Sequence, residues 1–528
     1  MIELELRTSI KASDDPVARA IKKYRLNPAD ILSSCIVHRS LDARPEREPS
    51  FLYRLRFELR NEEAVLRRVK QAKHITPYVY KIEERGTIPL PHRPVVIGFG
   101  PCGMAAGLLL ARLGYRPLIL ERGPKTEDRV TAVETYWKTG VLDPVRNVQF
   151  GEGGAGAFSD GKLTTRVKDP RVQLILDELI KAGADPSIAW LNHPHIGTDR
   201  FREINKTIRN EILSLGGEIR FETALSGLVI ENSRLTAVRT DQGDEIPCEV
   251  LILAIGHSAR DTFSMLERNK VPLAPKQFAV GFRCEHLQEF INARQYRNVP
   301  DYSFLPAAEY HLSHTSSLKK GVYSFCMCPG GYVIPAESIP GTIVTNGMSY
   351  AARDGRNANA ALLVQVDASD FGDGLFAGMQ FQEKLEHAAY ELGNGKAPCE
   401  TIAHYLGDTN TNEITSVEPT YARGVTMTGL HALLPDALNQ SLEEMLRHTE
   451  QIFPSFTSEG ALFTGIETRT SSPVRILRDL QSLESAVSGI YPSGEGAGYA
   501  GGIVSSAIDG VKCAEQIIKR YAPMNEPE

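Results

Sequence analysis

Three glycines and a glutamate have the spacing of a dinucleotide-binding element. Gly98, Gly100 and Gly103 spell G-x-G-x-x-G directly after a short apolar run, and Glu121 follows Gly100 by 21 residues. In such an element the glycines permit a tight turn and bring the backbone close to a pyrophosphate, which the N-terminus of the following helix attracts. The acid accepts hydrogen bonds from a ribose. These residues predict a site for NAD or FAD.

The surrounding segment has the strand–turn–helix–strand order that this chemistry requires. Residues 95–97 are expected to form a buried strand, 104–113 a helix, and 117–120 a second strand that runs into Glu121. The segment also contains 18 residues without charge, 94–111, which is close to the length of a membrane span. Its four glycines and Pro101 fit the nucleotide-binding turn better, so no membrane span is expected.

A glycine-rich segment near the C-terminus favours FAD over NAD. Residues 494–503 read GEGAGYAGGI, follow an expected strand at 489–491 and open an expected helix at 503–521. Glu495 is placed to reach ribityl or phosphate oxygens. The N–H groups at the helix start can face the pyrimidine edge of an isoalloxazine, which gathers negative charge on reduction. A tightly held flavin recruits distant segments in this way, whereas NAD needs little beyond the first element.

A second G-x-G-x-x-G, formed by Gly151, Gly153 and Gly156, lacks the context of the first. No apolar strand precedes it, and Phe158-Ser159-Asp160-Gly161 follows it in place of an amphipathic helix. The residues alone leave three interpretations open: a second nucleotide site, a flexible surface loop, or a loop that completes a site built elsewhere.

Several longer stretches make the chain resemble a known group of proteins. They are QFGEGGAGAFSDGKL, HIGTDRF, AIGHSARDTF, FCMCPGG, GIETRTSSPVRI and YPSGEGAGYAGGIVSSAIDG. The chain resembles the two-dinucleotide-fold flavoproteins with a glutathione-reductase-like FAD domain. More closely, it is similar over nearly all its length to the bacterial FAD-dependent dehydrogenase/oxidoreductase family of undefined substrate, with geranylgeranyl reductases as more distant relatives. The resemblance implies FAD and a redox role, and it implies that the 151–162 loop lies against the flavin. No His or Cys of the fingerprint loops is placed for a covalent link, so the FAD is expected to be noncovalent.

The motifs and the resemblance together give a set of expected site residues. Those expected to contact the cofactor are Gly98, Gly100, Pro101, Cys102, Gly103, Glu121, Arg122, Arg129, Gly153, Gly154, Ala155, Ser159, Asp160, Gly161, Lys162, Gly256, His257, Gly494, Glu495, Gly501, Gly502 and Ile503. The candidates for a catalytic role are Lys162, His257 and Cys328. No metal is expected.

Each of the polar candidates also has an ordinary structural interpretation. Lys162 could lie near flavin N1 or O2 or bind a substrate acid, whereas Asp160 could be a ligand or form an Asx-turn. His257 could relay protons or satisfy the backbone. Arg283 and Arg469 could bind an anionic substrate, with a salt bridge as the default for each.

Two nearby cysteines raise a separate question. Alternation along a strand-like GVYSF places Cys326 and Cys328 on one face. They could be a thiol pair that exchanges electrons with flavin, small buried residues, or zinc ligands together with His311 and His314. Burial is favoured, because C-x-C is not the usual redox spacing and the histidine spacing matches no zinc finger.

Length and composition predict several domains of an α/β protein. The 528 residues exceed one ordinary core, and composition is typical of globular chains. We expect a ferredoxin-like βαββαβ domain over 1–85, a Rossmann-like FAD-binding domain over 90–265 that closes with 471–528, and an inserted α+β substrate domain over 266–470.

The N-terminal domain carries 18 Lys and Arg against 13 Asp and Glu, a local charge of +5. Its expected fourth strand is ITPYVYKI, residues 75–82. RNA-recognition modules share the βαββαβ order, but they carry aromatic residues on the outer face of the third strand. That face holds Arg54 and Arg56 here, which can pair across strands with Glu3 and Glu5. Nucleic acid is therefore not expected as a partner.

These observations predict an FAD-dependent oxidoreductase that transfers a hydride between flavin N5 and an unidentified small-molecule substrate. NAD(P)H as a transient reductant, or a protein electron donor or acceptor, is left open. The alternative is a flavin-holding RNA-modification or scaffold protein that binds its partner through the basic N-terminal domain. The N-terminus does not resemble a signal peptide and the eight cysteines are scattered, so a soluble, cytoplasmic protein is expected.

Overall fold

The structure is a computed structural model that describes residues 1–12, 14–44, 47–82, 84–297, 299–408, 412–458 and 460–524. Its core is divided among an N-terminal unit, a parallel-sheet unit and a unit built on a large mixed sheet.

The N-terminal unit is a four-stranded sheet with two helices. The first helix begins at Pro16 because Asp15 accepts hydrogen bonds from the N–H groups of Val17 and Ala18, both at 3.2 Å. The sheet order is β2-β3-β1-β4. The elements are β1 (Ile2–Ser9), α1 (Pro16–Tyr24), β2 (Ile31–Asp42), β3 (Ser50–Leu59), α2 (Glu62–Arg68) and β4 (Lys73–His74).

The expectation of a strand over residues 75–82 is wrong. The fourth strand contains only Lys73 and His74, which pair with the start of β1. Pro77 has no N–H to donate, and the Tyr78 and Val79 side chains remain exposed, so extending the strand would bury little. Tyr80 instead donates a hydrogen bond to Glu515 at 2.9 Å, which draws the chain away from the sheet.

The basic residues on the outer face of this sheet are paired. Glu3 lies opposite Arg56 in the β1–β3 register and binds it at 3.1 Å, and Glu5 lies opposite Arg54. At the other end of the sheet, the guanidinium group of Arg39 lies between the rings of Phe51 and Trp190, about 5 Å from each. The Arg39 backbone also exchanges hydrogen bonds with residues 190 and 192, which joins the N-terminal unit to the next one.

The second unit contains an all-parallel sheet of order β23-β11-β5-β6-β7. The dinucleotide element expected from the sequence is confirmed as strand, helix and strand, and β23 joins the sheet from nearly 400 residues later in the chain. The elements are β5 (Val95–Ile97), α3 (Pro101–Arg112), β6 (Leu118–Leu120), α4 (Thr126–Thr139), α5 (Arg171–Lys181), α6 (Thr198–Ser214), β7 (Glu218–Arg220), β8 (Leu225–Glu231), β9 (Arg234–Thr240), β10 (Glu245–Pro247), β11 (Leu251–Leu253) and α7 (Arg260–Arg268).

The third unit is built on a seven-stranded mixed sheet of order β14-β15-β18-β13-β21-β19-β20. Its central strands β13 and β18 are buried over nearly their whole length, because helices and loops cover both faces. Its elements, followed by the two that return to the parallel sheet, are β12 (Leu273–Pro275), β13 (Phe278–Leu287), α8 (Gln288–Gln295), β14 (Ser313–Thr315), β15 (Gly321–Cys328), β16 (Tyr332–Pro335), β17 (Thr345–Met348), β18 (Asn357–Val366), α9 (Ala368–Phe371), α10 (Ala377–Leu392), β19 (Ala397–Thr401), α11 (Ile402–Tyr405), β20 (Val425–Met427), α12 (Asp436–Ile452), β21 (Leu462–Glu467), β22 (Val474–Ile476), β23 (Ile490–Pro492) and α13 (Ile503–Arg520).

Within the described ranges, no helix is both long and apolar enough to span a membrane. The uncharged stretch at 94–111 is instead β5 and α3, and both lie in the core of the second unit.

Candidate functional site

One cavity of about 350 Å³ lies at the carboxyl end of the parallel sheet, where the second and third units meet. This edge is the usual ligand site of open α/β sheets. Most of the residues expected from the sequence line it, namely Gly98, Gly100, Pro101, Cys102, Glu121, Arg122, Gly154, Ala155, Ser159, Asp160, Gly161, Lys162, Gly256, His257, Glu495, Gly501, Gly502 and Ile503.

The turn between β5 and α3 opens one end of the cavity to a helix N-terminus. Gly100 is the N-cap of α3 and has no side chain to bond the first free N–H groups. Pro101 at the first helical position has no N–H and suits the helix start. Gly103 does not line the cavity. A Cβ at this position would lie 1.9 Å from the carbonyl oxygen of Gly98, so this glycine allows the helix to pack on the turn.

Glu121 lies at the end of β6, buried, and connects three loops of the site. Its two oxygens accept hydrogen bonds from the backbone N–H groups of Phe99 at 2.7 Å and of Gly123 and Gly151 at 2.8 Å. A carboxylate has about four acceptor positions, so one remains for a ligand hydroxyl. The residue therefore both lines the cavity and holds the glycine-rich loop beside the first turn.

The loop at 151–162 contributes a wall of the cavity, so a free surface position for it is excluded. Its Gly154 has φ +58°, and a Cβ there would lie 3.2 Å from the Cα of Gly100. The two glycine-rich loops thus pack backbone to backbone. Gly153 faces away from the cavity, against the side chain of Asn205.

Arg129 supports this loop from behind and does not reach the cavity. It is fully buried and donates hydrogen bonds to the carbonyl groups of Asn147 at 3.1 Å, Val148 at 2.8 Å and Glu152 at 2.6 Å. Burial lowers the pKa of Arg129 to about 9. Its expected contact with a cofactor is thus replaced by a positioning role.

Gly494 likewise lies behind the lining and donates its N–H to Asp509 at 2.7 Å.

The C-terminal glycine segment closes the cavity opposite the first turn. Gly502 caps α13 without a side chain, so the free N–H groups of a second helix start also open at the cavity. Glu495 lines the wall beside it, and burial raises the pKa of its carboxyl to about 7, although Lys276 opposes that shift.

His257 lines the cavity as a neutral imidazole. Burial lowers its pKa to about 3, and the charges of Arg469 and Arg260 act in the same direction. Its Nδ1 lies 3.1 Å from the hydroxyl of Ser258. A ring that stays unprotonated across neutral pH can accept or donate one hydrogen bond, but it does not serve as an imidazolium acid.

The expected common face for Cys326 and Cys328 is wrong. Strand β15 has an irregular register between Phe325 and Cys328, and Cys326 adopts φ +46°. This bulge breaks the alternation, so Cys326 lines the cavity while Cys328 is fully buried behind it. The thiol of Cys328 donates to the carbonyl of Cys326 at 3.2 Å, and burial raises its pKa well above the ordinary thiol value.

The third unit supplies a wall of buried ion pairs. Arg283 binds Glu467 at 2.5 Å and Arg469 binds Glu386 at 2.8 Å, so the salt-bridge interpretation of both arginines is confirmed. Glu467 and Arg469 line the cavity. Sequence reasoning missed several further lining residues, including Gln149, Phe150, Ser258, Asn346, Glu467 and Thr470. All of these except Asn346 lie within the stretches that carry the family resemblance.

Among the described residues, no three His, Cys, Asp or Glu side chains are grouped to hold a metal ion. The ring of His314 stacks on His448 with centroids 4.9 Å apart. The zinc interpretation of the C-x-C segment therefore has no cluster to support it in this part of the chain.

A parallel sheet with a G-x-G-x-x-G turn, a carboxylate at the end of the second strand and two uncapped helix starts facing one cavity defines a dinucleotide-binding protein. The distant C-terminal segment in the cavity wall is typical of flavoproteins. The comparisons with known proteins agree. Residues 277–470 match the family model described as FAD-dependent protein, C-terminal domain-like.

A protein of Clostridium beijerinckii, described as an uncharacterized protein, is 45% identical over 507 residues, which cover 95% of each chain. The chain belongs to the same family as this relative, and its residues 277–470 match the domain described as FAD-dependent.

Solved structures of low sequence identity also match. The flavin-dependent brominase Bmp2 is 11% identical, with 81% of this chain and 79% of that chain covered and a TM-score of 0.38. A geranylgeranyl bacteriochlorophyll reductase-like protein of Thermoplasma acidophilum is 11% identical, with 81% and 78% covered and a TM-score of 0.34. CtdE in complex with FAD is 12% identical, with 82% and 83% covered and a TM-score of 0.30. Such scores are too low to carry an argument about function.

Proposed function

We propose that the protein binds FAD noncovalently in this cavity and uses it to transfer a hydride between flavin N5 and a small-molecule substrate. The observation that carries the proposal is that the first turn, Glu121, the 151–162 loop and the C-terminal segment all meet around one cavity. A protein that binds a nucleotide only as a cosubstrate would need only the first turn and Glu121.

The residues present fit the chemical groups of FAD. The free N–H groups at the start of α3 suit a pyrophosphate, and the remaining acceptor of Glu121 suits a ribose hydroxyl. The start of α13 suits the electron-rich edge of an isoalloxazine, and Glu495 suits a ribityl hydroxyl. When bound, FAD supplies the two-electron chemistry, while the chain orients it and excludes water.

The substrate side of the cavity is proposed to lie toward the third unit. Its walls combine Phe325 and Cys326 with the polar side chains of Asn346 and Thr470. Because the charged groups nearby are already paired, this wall favours a substrate recognised by shape and neutral hydrogen bonds over a strongly anionic one.

We propose that residues 1–85 are a ferredoxin-like domain that docks a protein electron donor or acceptor, and that the protein works in the cytoplasm. Reduction by NAD(P)H is a third route to screen. The salt-paired outer face of the N-terminal sheet does not favour the RNA-binding alternative.

The spectrum of the purified protein tests the central proposal. The protein should be yellow and should release FAD, without a covalent adduct, on denaturation. Recovery of FMN, or of NAD alone, would contradict it. Anaerobic bleaching by NADH, by NADPH and by a panel of small alcohols, amines and hydroxy acids then identifies the donor.

A further inference from the structure

A chain of ionisable side chains connects the cavity with solvent on the side of the 151–162 loop. Lys162 lines the cavity, and its Nζ lies 3.4 Å from Oε2 of Glu309. The same oxygen lies 3.1 Å from Nδ1 of His193. The side chains are 24% exposed for Lys162, 18% for Glu309 and 58% for His193. This series of side chains therefore begins at the cavity wall with Lys162 and ends at the solvent-exposed imidazole of His193.

Glu309 is fixed in place by a second arginine contact. Its Oε1 accepts a hydrogen bond from Arg353 at 2.8 Å, and Arg353 is bound on its other side by Asp160. Burial alone would raise the pKa of Glu309, but the hydrogen bond from His193 and the neighbouring cations hold it well below the usual range of a glutamate. Glu309 thus stays ionised, and its Oε2 lies between the Lys162 amine and the His193 ring.

Other ionisable groups surround this chain. Those facing it are Asp160, Arg353, His195, Tyr296, Cys326, Cys328 and, from the N-terminal sheet, His38. His195 is kept neutral because burial, followed by the charge of Arg353, lowers its pKa. Cys326 is kept as the thiol because burial raises its pKa. His195 and Cys326 are therefore both neutral, so neither competes with Lys162 as a cationic acid.

We propose that Lys162 is the catalytic acid of the redox reaction, that Glu309 positions it, and that His193 returns a proton to it from solvent. This inference rests on the proposed flavin function and names the proton path of the same site. A half-buried amine that lines the cavity and is linked through Glu309 to an exposed imidazole is placed to move a proton, which a purely structural salt bridge does not require.

The proton balance requires such a group. Two-electron reduction of an organic acceptor adds one hydride, which the cofactor supplies, and one proton, which must come from the chain or from water. The ammonium group of Lys162 gives up that proton and becomes an amine. It regains a proton from the His193 imidazolium, which in turn takes one from solvent. Glu309 stays ionised throughout.

The coupling between Lys162 and Glu309 can be measured without FAD. In Glu309→Gln, loss of the carboxylate makes the ammonium less favourable, so acetylation of Lys162 by acetic anhydride at pH 8 should rise about tenfold, which corresponds to one pKa unit. Lys181, which pairs with Glu178 at 2.8 Å, is an internal reference in the same digest and should not change. Unchanged labelling of Lys162 would overturn the positioning role.

The proton transfer itself is tested in the FAD-bound protein with menadione as acceptor. In a single turnover of photoreduced protein, Lys162→Met should slow reoxidation about a hundredfold, within the range of general acid catalysis. If Lys162 supplies the proton, the rate of the unaltered protein should depend on pH, and this dependence should vanish in the variant. The matched control Lys181→Met should behave as the unaltered protein.

His193 should act only between turnovers. His193→Gln should leave the first turnover unchanged, slow repeated turnover under continuous photoreduction, and recover when imidazole is added. A loss in the first turnover, or no rescue by imidazole, would overturn the relay. If no variant or parent retains FAD, the proposed function fails, and the acetylation result still stands as a separate measurement.

Discussion

Gly154 offers a direct test of whether the glycine-rich loop belongs to the cofactor site. In Gly154→Val the new Cβ would lie 3.2 Å from the Cα of Gly100, where the neighbouring backbone must shift by a few tenths of an ångström. The two methyl groups would also enter a wall of the cavity. Overpacking of this kind costs about 1–3 kcal/mol, and because the strain moves the first turn, we expect FAD affinity to fall roughly 10- to 100-fold.

The backbone at this position complicates the measurement, because φ +58° disfavours any side chain by about 1–2 kcal/mol. Gly243 provides the matched control. It has φ +90° in a turn of the second unit, and no heavy atom lies within 4 Å of a Cβ placed there. Gly243→Val should therefore lose stability without losing affinity.

Fluorescence titration of FAD into the FAD-free variants measures the affinity, and thermal melting measures the stability. If the two variants lose stability alike and bind FAD equally, the loop does not pack against the cofactor, and the reasoning from the cavity wall is refuted.

Three further predictions concern buried carboxylates of the site. Glu121→Gln should weaken both folding and FAD binding by about 1–3 kcal/mol, because the bonds lose their charge assistance and an amide NH2 replaces one of the two acceptor oxygens; equal FAD retention after dialysis would place the ribose acceptor elsewhere. For Glu495, the folded pKa of about 7 exceeds the unfolded value, so its contribution to stability is complete below about pH 4.5 and is lost as pH rises through 7. In the FAD-free protein, Glu495→Gln should thus melt at the same temperature as the parent near pH 4.5 and higher than the parent at pH 8, and a constant difference across pH would contradict the shift. Arg469→Met should lower the free energy of unfolding in urea by about 3–5 kcal/mol because it leaves the buried Glu386 with only the longer contact to Arg260, at 3.5 Å, as an ion pair, and the double variant with Glu386→Leu should recover most of the loss.

The dinucleotide element could be predicted because its signal is local. The strand, the glycine turn and the helix lie within one continuous stretch, and Glu121 follows at a characteristic interval. The C-terminal segment could be found for the same reason, since its glycines, its preceding strand and its helix are adjacent in the chain. The dinucleotide element and the C-terminal segment could therefore be assigned to one site, although the sequence does not show how the chain folds between them.

The remaining wall depends on tertiary structure that no local pattern records. Asn346 lies in β17 and Thr470 follows β21. Both reach the cavity only because of the way the strands of the third unit are arranged in space. Alternation does not predict the face of Cys326, because a bulge interrupts β15. It also does not predict the end of the fourth strand, because an apolar pattern over 75–82 does not ensure a partner strand. Arg129 does not line the cavity because its guanidinium group binds backbone carbonyl groups of the neighbouring loop, a contact that the sequence does not reveal.

The late return of the chain to the parallel sheet has a consequence for biosynthesis. The thiol of Cys102 and the hydroxyl of Ser493, 3.1 Å apart in the folded protein, are separated by 391 residues. At about 5–20 residues per second, a ribosome needs roughly 20–80 s to make the second after the first. Throughout that interval, α3 lacks α13, against whose Val504, Ile508 and Val511 its apolar face packs in the core. The nascent chain therefore carries an uncovered hydrophobic helix for most of its synthesis, a period in which chaperones and aggregation compete for it.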